Sequence, residues 1–155
     1  MEQFIFAFKE KKILKVKKNF GKFSIISETF QRCYLGKKDT DSFFRQLFND
    51  PSNDYTRYIY FYLSYLIEEN RLNEAKKISE EIKYANTTLL LSQGKSWIEN
   101  EYIEKFSQVF SCKNHNHILS EYFFLISNLY SSQDDFEKSN YFLNLSIFLN
   151  PKFIF

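Results

Sequence analysis

Cys112, His115 and His117 stand close enough in sequence for a thiolate and two imidazoles to share a zinc ion. A closed zinc site takes a fourth ligand, however. None stands nearby and Cys33 is distant, so the segment reads as a polar loop between helices. The two histidines would also suit base catalysis, but no Ser or Cys nucleophile with an orienting acid can be placed beside them. Gly94-Lys95-Ser96 matches the end of a phosphate-binding loop. That loop needs a glycine where Leu89 stands and backbone N–H groups free of a helix, whereas Leu90 and Leu91 suit a helix. No acid, base and nucleophile come together, so no catalytic residue, metal ligand or cofactor is expected and the chain reads as non-enzymatic.

Lys9, Lys11, Lys12, Lys15, Lys17, Lys18 and Lys22 form a basic stripe interleaved with Phe4, Phe8, Leu14 and Val16. Such a stripe can lie on an anionic membrane or on phosphates; the solvated face of a first helix accounts for it equally. The net charge is only +2, so no global field draws the chain to nucleic acid, and none is expected as a partner. Two cysteines make no disulfide framework. Met1 to Phe8 is a short apolar patch with no basic lead and no small-residue cleavage site, so no secretory signal is expected. The default is therefore a reducing, cytoplasmic setting, in which the glycosylation sequons at Asn86-Thr87-Thr88 and Asn144-Leu145-Ser146 are chance matches. No apolar run is long enough to span a membrane.

The elements that must position these residues read as helices. Gly numbers 3 and Pro 2, too few for the turns of a β-sandwich or barrel. The aromatic fraction of 20%, with 19 Phe and 11 Tyr, is read as core material. Ile118, Tyr122, Leu125, Ile126, Leu129 and Tyr130 recur at helical spacing. A polar break follows, and Asp135 is placed to cap a second helix carrying Phe136, Phe142, Leu143, Leu145, Ile147 and Leu149. Asn150-Pro151 stops it. With so short a loop the two helices must pack antiparallel. One helical-repeat domain is expected over residues 1–155. It has a partial N-terminal helix at 3–18 and hairpins at about 23–50, 56–85, 87–112 and 118–150.

Phe123-x2-Ile126-Ser127-x2-Tyr130, Ser139-x3-Leu143, Ser146 and Asn150-Pro151 keep the spacing of a tetratricopeptide repeat, which this segment resembles. Ile59-x2-Tyr62-Leu63-x2-Leu66 with Asn73-Glu74-Ala75-x3-Ser79 resembles it too, although Leu63 replaces a small residue and no Pro closes the unit. Ala75 and Ser139 lie close to two ~34-residue units apart. Gly94, Trp97 and Phe110 fit a middle pair; Phe30, Tyr34, Phe43 and Leu47 fit a first. A Sel1-like helical-hairpin array is the alternative.

The resemblance implies an all-α, right-handed α-solenoid of stacked antiparallel hairpins. Ala75, Ser127, Tyr130, Ser139, Leu143, Ser146 and Pro151 would serve packing within the repeats. The first helix of each pair would line a concave face, where Arg57, Tyr60, Ser64, Lys95, Glu121, Phe124 and Asn128 would meet a peptide or partner helix. The family's carboxylate clamp is not expected, since Asn128 alone occupies a suitable place. The implied function is a protein-interaction scaffold. The alternatives are a regulatory segment of a larger, enzymatic protein, or membrane or nucleic-acid association through the basic first helix. The apolar end Phe153-Ile154-Phe155 is the opposite of a polar cap, which suggests that the array continues or that this end packs on a partner or a second copy.

Overall fold

The computed structural model describes residues 2–14, 22–48, 56–82 and 88–152. Among the described residues the chain is all-α with no strand. The helices are α1 (Glu2–Glu10), α2 (Lys22–Tyr34), α3 (Thr40–Phe48), α4 (Thr56–Glu68), α5 (Leu72–Glu81), α6 (Leu89–Glu99), α7 (Glu104–Val109), α8 (His115–Ser131) and α9 (Phe136–Leu149). Side chains open three of them by accepting otherwise unbonded backbone N–H groups. Thr88 accepts from Leu91 N, Asn114 from Asn116 N, and Asp135 from Lys138 N, as its position before the last helix predicted.

Four turns share one geometry. Gly36, Asn70, Glu101 and Asp134 all take left-handed φ values, 60°, 59°, 62° and 59°. At each, the following N–H reaches back five residues into the helix just ended. Lys37 N donates to Arg32 O, Arg71 N to Leu66 O, Tyr102 N to Trp97 O, and Asp135 N to Tyr130 O. This is the Schellman closure, which satisfies the last carbonyls and reverses the chain. It joins α2 to α3, α4 to α5, α6 to α7 and α8 to α9, at steps close to the ~34-residue unit.

Helix α4 lies at the centre, against α3, α5, α6 and α7. Its residues are buried without a break from Tyr60 to Leu66, as expected of a helix apolar all round. Tyr60 stacks on Phe106 at 5.1 Å between ring centroids. A Cβ built on Gly94 of α6 would stand 2.7 Å from Tyr60 Cδ2, so only glycine admits the ring there. Phe61 stacks on Phe110 at 3.9 Å. Phe30 touches both, and also Tyr122, which Phe4 meets in turn. The core therefore joins α1, α2, α4 and α8 through aromatic rings.

Three expectations change. The first helix, expected to reach Lys18, ends at Glu10, and Lys11 has a φ of 55°. The backbone of Leu14 is held by a side chain instead: its N–H donates to Gln31 Oε1 at 2.8 Å and its carbonyl accepts from Gln31 Nε2 at 3.2 Å. Helix α7 is one short stretch, because Phe110 turns extended and is itself fully buried. Finally, Cys33 and Cys112, read as making no disulfide framework, form a disulfide with Cα atoms 5.5 Å apart and a sequence separation of 79. It ties the end of α2 to the loop before α8. The expectations for Lys15, Lys17, Lys18, Asn86 and Phe153 to Phe155, and for the hairpin ends at 49–50, 83–85 and 87, lie outside the described residues.

Candidate interaction surfaces

Of the seven residues expected on a concave face, three are buried. Arg57 Nε donates to Glu121 Oε2 at 2.9 Å, joining α4 to α8. The guanidinium also lies over the Phe61 and Phe124 rings, at 5.2 and 4.7 Å. Glu121 is fully buried. Burial pushes its carboxyl pKa up and Arg57 pulls it only part of the way back. Burial, with Glu121 close by, also raises the Tyr58 hydroxyl well above the phenol range. Ser64 Oγ donates to Phe110 O at 2.6 Å, and Lys95 Nζ to Ile82 O at 2.6 Å. Tyr60, Ser64 and Glu121 are inside the molecule, which corrects their outward assignment. The assignment assumed that each first helix keeps one open side, and α4 has neighbours all round. Arg57, Lys95 and Phe124 are half-buried, and Asn128 is exposed.

The residues expected to pack the repeats lie mostly between helices. Ala75, Ser127, Ser139 and Ser146 are buried. Ser127 Oγ and Ser139 Oγ share a hydrogen bond at 3.1 Å. One helix face further along, Ser146 Oγ donates to Ser120 O at 2.8 Å, and the two hydroxyls stand 3.0 Å apart. These pairings run antiparallel, and the small side chains let α8 and α9 approach closely. Tyr130 stacks flat on Phe142 at 5.5 Å. Leu143 is half-buried and Pro151 exposed, just beyond Asn150, whose Nδ2 donates to Val109 O at 2.7 Å. Sequence reasoning passed over Ser120. The signal was there, since Ser120 and Ser127 repeat the interval of Ser139 and Ser146, about two helical turns.

The two histidines, expected in a polar loop, lie in the first turn of α8, and they do not converge on a site. Cys112 is in the disulfide. His115 packs on Phe8 at 4.8 Å, and His117 is buried, which lowers its pKa and favours the neutral ring. Gly94-Lys95-Ser96 lies inside α6. No group of three metal-ligating side chains lies together among the described residues.

A different surface stands out. On α9, Phe148 is 80% exposed, Tyr141 61% and Phe136 59%, and Ile147 is exposed with them. Leu129 near the end of α8 is exposed too. Helix α9 carries large apolar side chains on nearly every side, yet among the described helices it packs closely only on α8. A helix apolar all round belongs in an interior. Among the described residues no helix is long and apolar enough to cross a membrane. No protein-family model matches the chain, and comparison with curated proteins and with solved structures yields no match.

Proposed function

We propose that this chain is a non-enzymatic protein-interaction module built of tetratricopeptide-like helical hairpins, and that its contact face is the outer side of α9. The recurrence of one Schellman turn at Gly36, Asn70, Glu101 and Asp134 supports the hairpin-array reading. The exposure of Phe136, Tyr141, Ile147 and Phe148 on one helix carries the functional reading. Covering a large apolar side chain stabilises a contact by about 1.5–3 kcal/mol, so water is a poor permanent neighbour for four of them. Lone exposed apolar residues are ordinary; a run of them along one element marks a contact. The partner that fits is another apolar helical surface, and a second copy of this chain supplies one.

Sedimentation velocity over a concentration series tests this. The wild-type chain is expected to self-associate as concentration rises, and Tyr141→Glu with Phe148→Glu to remain monomeric with unchanged helicity. A wild-type chain that stays monomeric at near-millimolar concentration would discard the α9 face.

A further inference from the structure

An open cleft of about 370 Å³ lies at the end of the molecule where α2 ends and α8 begins, lined by Lys11, Tyr34, Leu35, Lys37 and Lys113. Among the described residues three lysines line it and no carboxylate does, although the whole chain carries a net charge of only +2. Two other clefts, one between α5 and α6 and one beside Trp97, mix both signs. The lysines come from three separate segments: after α1, between α2 and α3, and before α8. The covalent link between those last two segments is the Cys33–Cys112 disulfide. Tyr34 directly follows one cysteine and Lys113 the other, so the bond ties together two of the segments that line the cleft.

Lys11 is held in place by its surroundings. Its Nζ donates to Tyr34 Oη at 3.2 Å and stands 4.9 Å from the centres of both the Phe8 and Tyr34 rings. Lys113 Nζ is 3.2 Å from Glu69, but both side chains are largely open to water, where such a pair contributes little. Lys37 is exposed. Like charges gathered on one concave wall repel each other, and a multiply charged anion relieves that repulsion while taking charge-assisted hydrogen bonds from each ammonium.

We propose that Lys11, Lys37 and Lys113, set around Tyr34 at the disulfide-linked end of the bundle, form a binding site for a phosphate group. The site is independent of the α9 face. Lysine suits the role as a mobile point charge with three donors, able to meet a tetrahedral oxyanion from several directions. The phosphate can belong to a small soluble anion or to a lipid headgroup, and two arms of one experiment separate these sources. Inorganic diphosphate is titrated into the oxidised protein by calorimetry at low salt. Vesicles of phosphatidylcholine, with and without phosphatidic acid, are tested by co-sedimentation.

Diphosphate binding that weakens about tenfold or more in Lys11→Gln/Lys37→Gln/Lys113→Gln supports the site, as does weakening with added salt. Lys77→Gln, an exposed lysine elsewhere, should leave binding unchanged. Vesicle binding that needs phosphatidic acid and the same three lysines assigns the headgroup as the source. The proposal is overturned if the wild type binds neither probe, or if the triple variant, checked for native helicity by circular dichroism, binds both as the wild type does.

Discussion

Glu121 is a carboxyl group with almost no water around it, and its behaviour with pH follows from that. Burial raises its pKa above the ordinary value, and Arg57, its 2.9 Å partner, offsets only part of the shift. A carboxyl raised in the folded state contributes stability that is fully present below the unfolded glutamate pKa. That contribution is lost as pH rises through the folded value. Wherever the side chain is ionised it therefore depends on the guanidinium. Arg57→Leu should destabilise the chain by about 3–5 kcal/mol near neutrality, because it strands a buried charge. The loss should shrink on acidification, as Glu121 takes up a proton. Glu121→Gln resembles the protonated group and should cost under about 1.5 kcal/mol. Arg57→Leu combined with Glu121→Leu should recover most of the stability, since apolar pairs often replace buried ion pairs without loss. Urea unfolding at neutral and mildly acidic pH measures all three. A loss for Arg57→Leu that grows toward acid would contradict the account.

Helix packing depends on a few close approaches, and Gly94 makes the sharpest. Gly→Ala within a helix ordinarily stabilises by about 1 kcal/mol. Here the added methyl would stand 2.7 Å from a Tyr60 ring that is itself fully buried and stacked on Phe106. The ring has nowhere to retreat. Gly94→Ala should therefore destabilise by about 1–3 kcal/mol, and thermal unfolding that shows stabilisation instead would mean that α4 and α6 are not so close. Such approaches also explain what could be read from the sequence. The Asp135 cap and the small residues at Ser127, Ser139 and Ser146 depend on local chemistry and regular spacing, so the last hairpin was legible. The orientation of α4 was not. Hydrophobic periodicity aims a helix only when one side is polar, and Tyr60 to Leu66 offer no such side. The end of α1 was hidden for another reason: it depends on Gln31, far along the chain, taking both backbone groups of Leu14. The exposed side of α9 was half legible. Its apolar content was plain, but whether a neighbour covered it was a question of tertiary structure.

At the scale of the whole molecule, the Cys33–Cys112 bond spans about half the chain and crosses between hairpins. In a stacked hairpin array, the proposed reading, neighbour-to-neighbour packing joins the first and last parts only through what lies between them. Here a covalent link joins the end of α2 to the loop before α8, and both cysteines belong to the same buried cluster as Phe30, Phe110 and Tyr122. Such bonds persist in oxidising surroundings, unlike the reducing setting taken as the default from the sequence. Closing a loop with a sequence separation of 79 restricts the unfolded chain severely, and a staple of that span contributes about 2–5 kcal/mol. Both cysteines are buried among apolar neighbours, so Cys33→Ala with Cys112→Ala should keep the helical content while lowering stability by that amount. Because the main effect falls on the unfolded ensemble, the urea m-value should rise as the released chain exposes more surface. Reducing the wild type should give the same midpoint as the double variant. A wild-type unfolding curve unmoved by reductant, in protein whose intact mass shows the two hydrogens lost on oxidation, would mean that the bond joins segments already held together by the aromatic core.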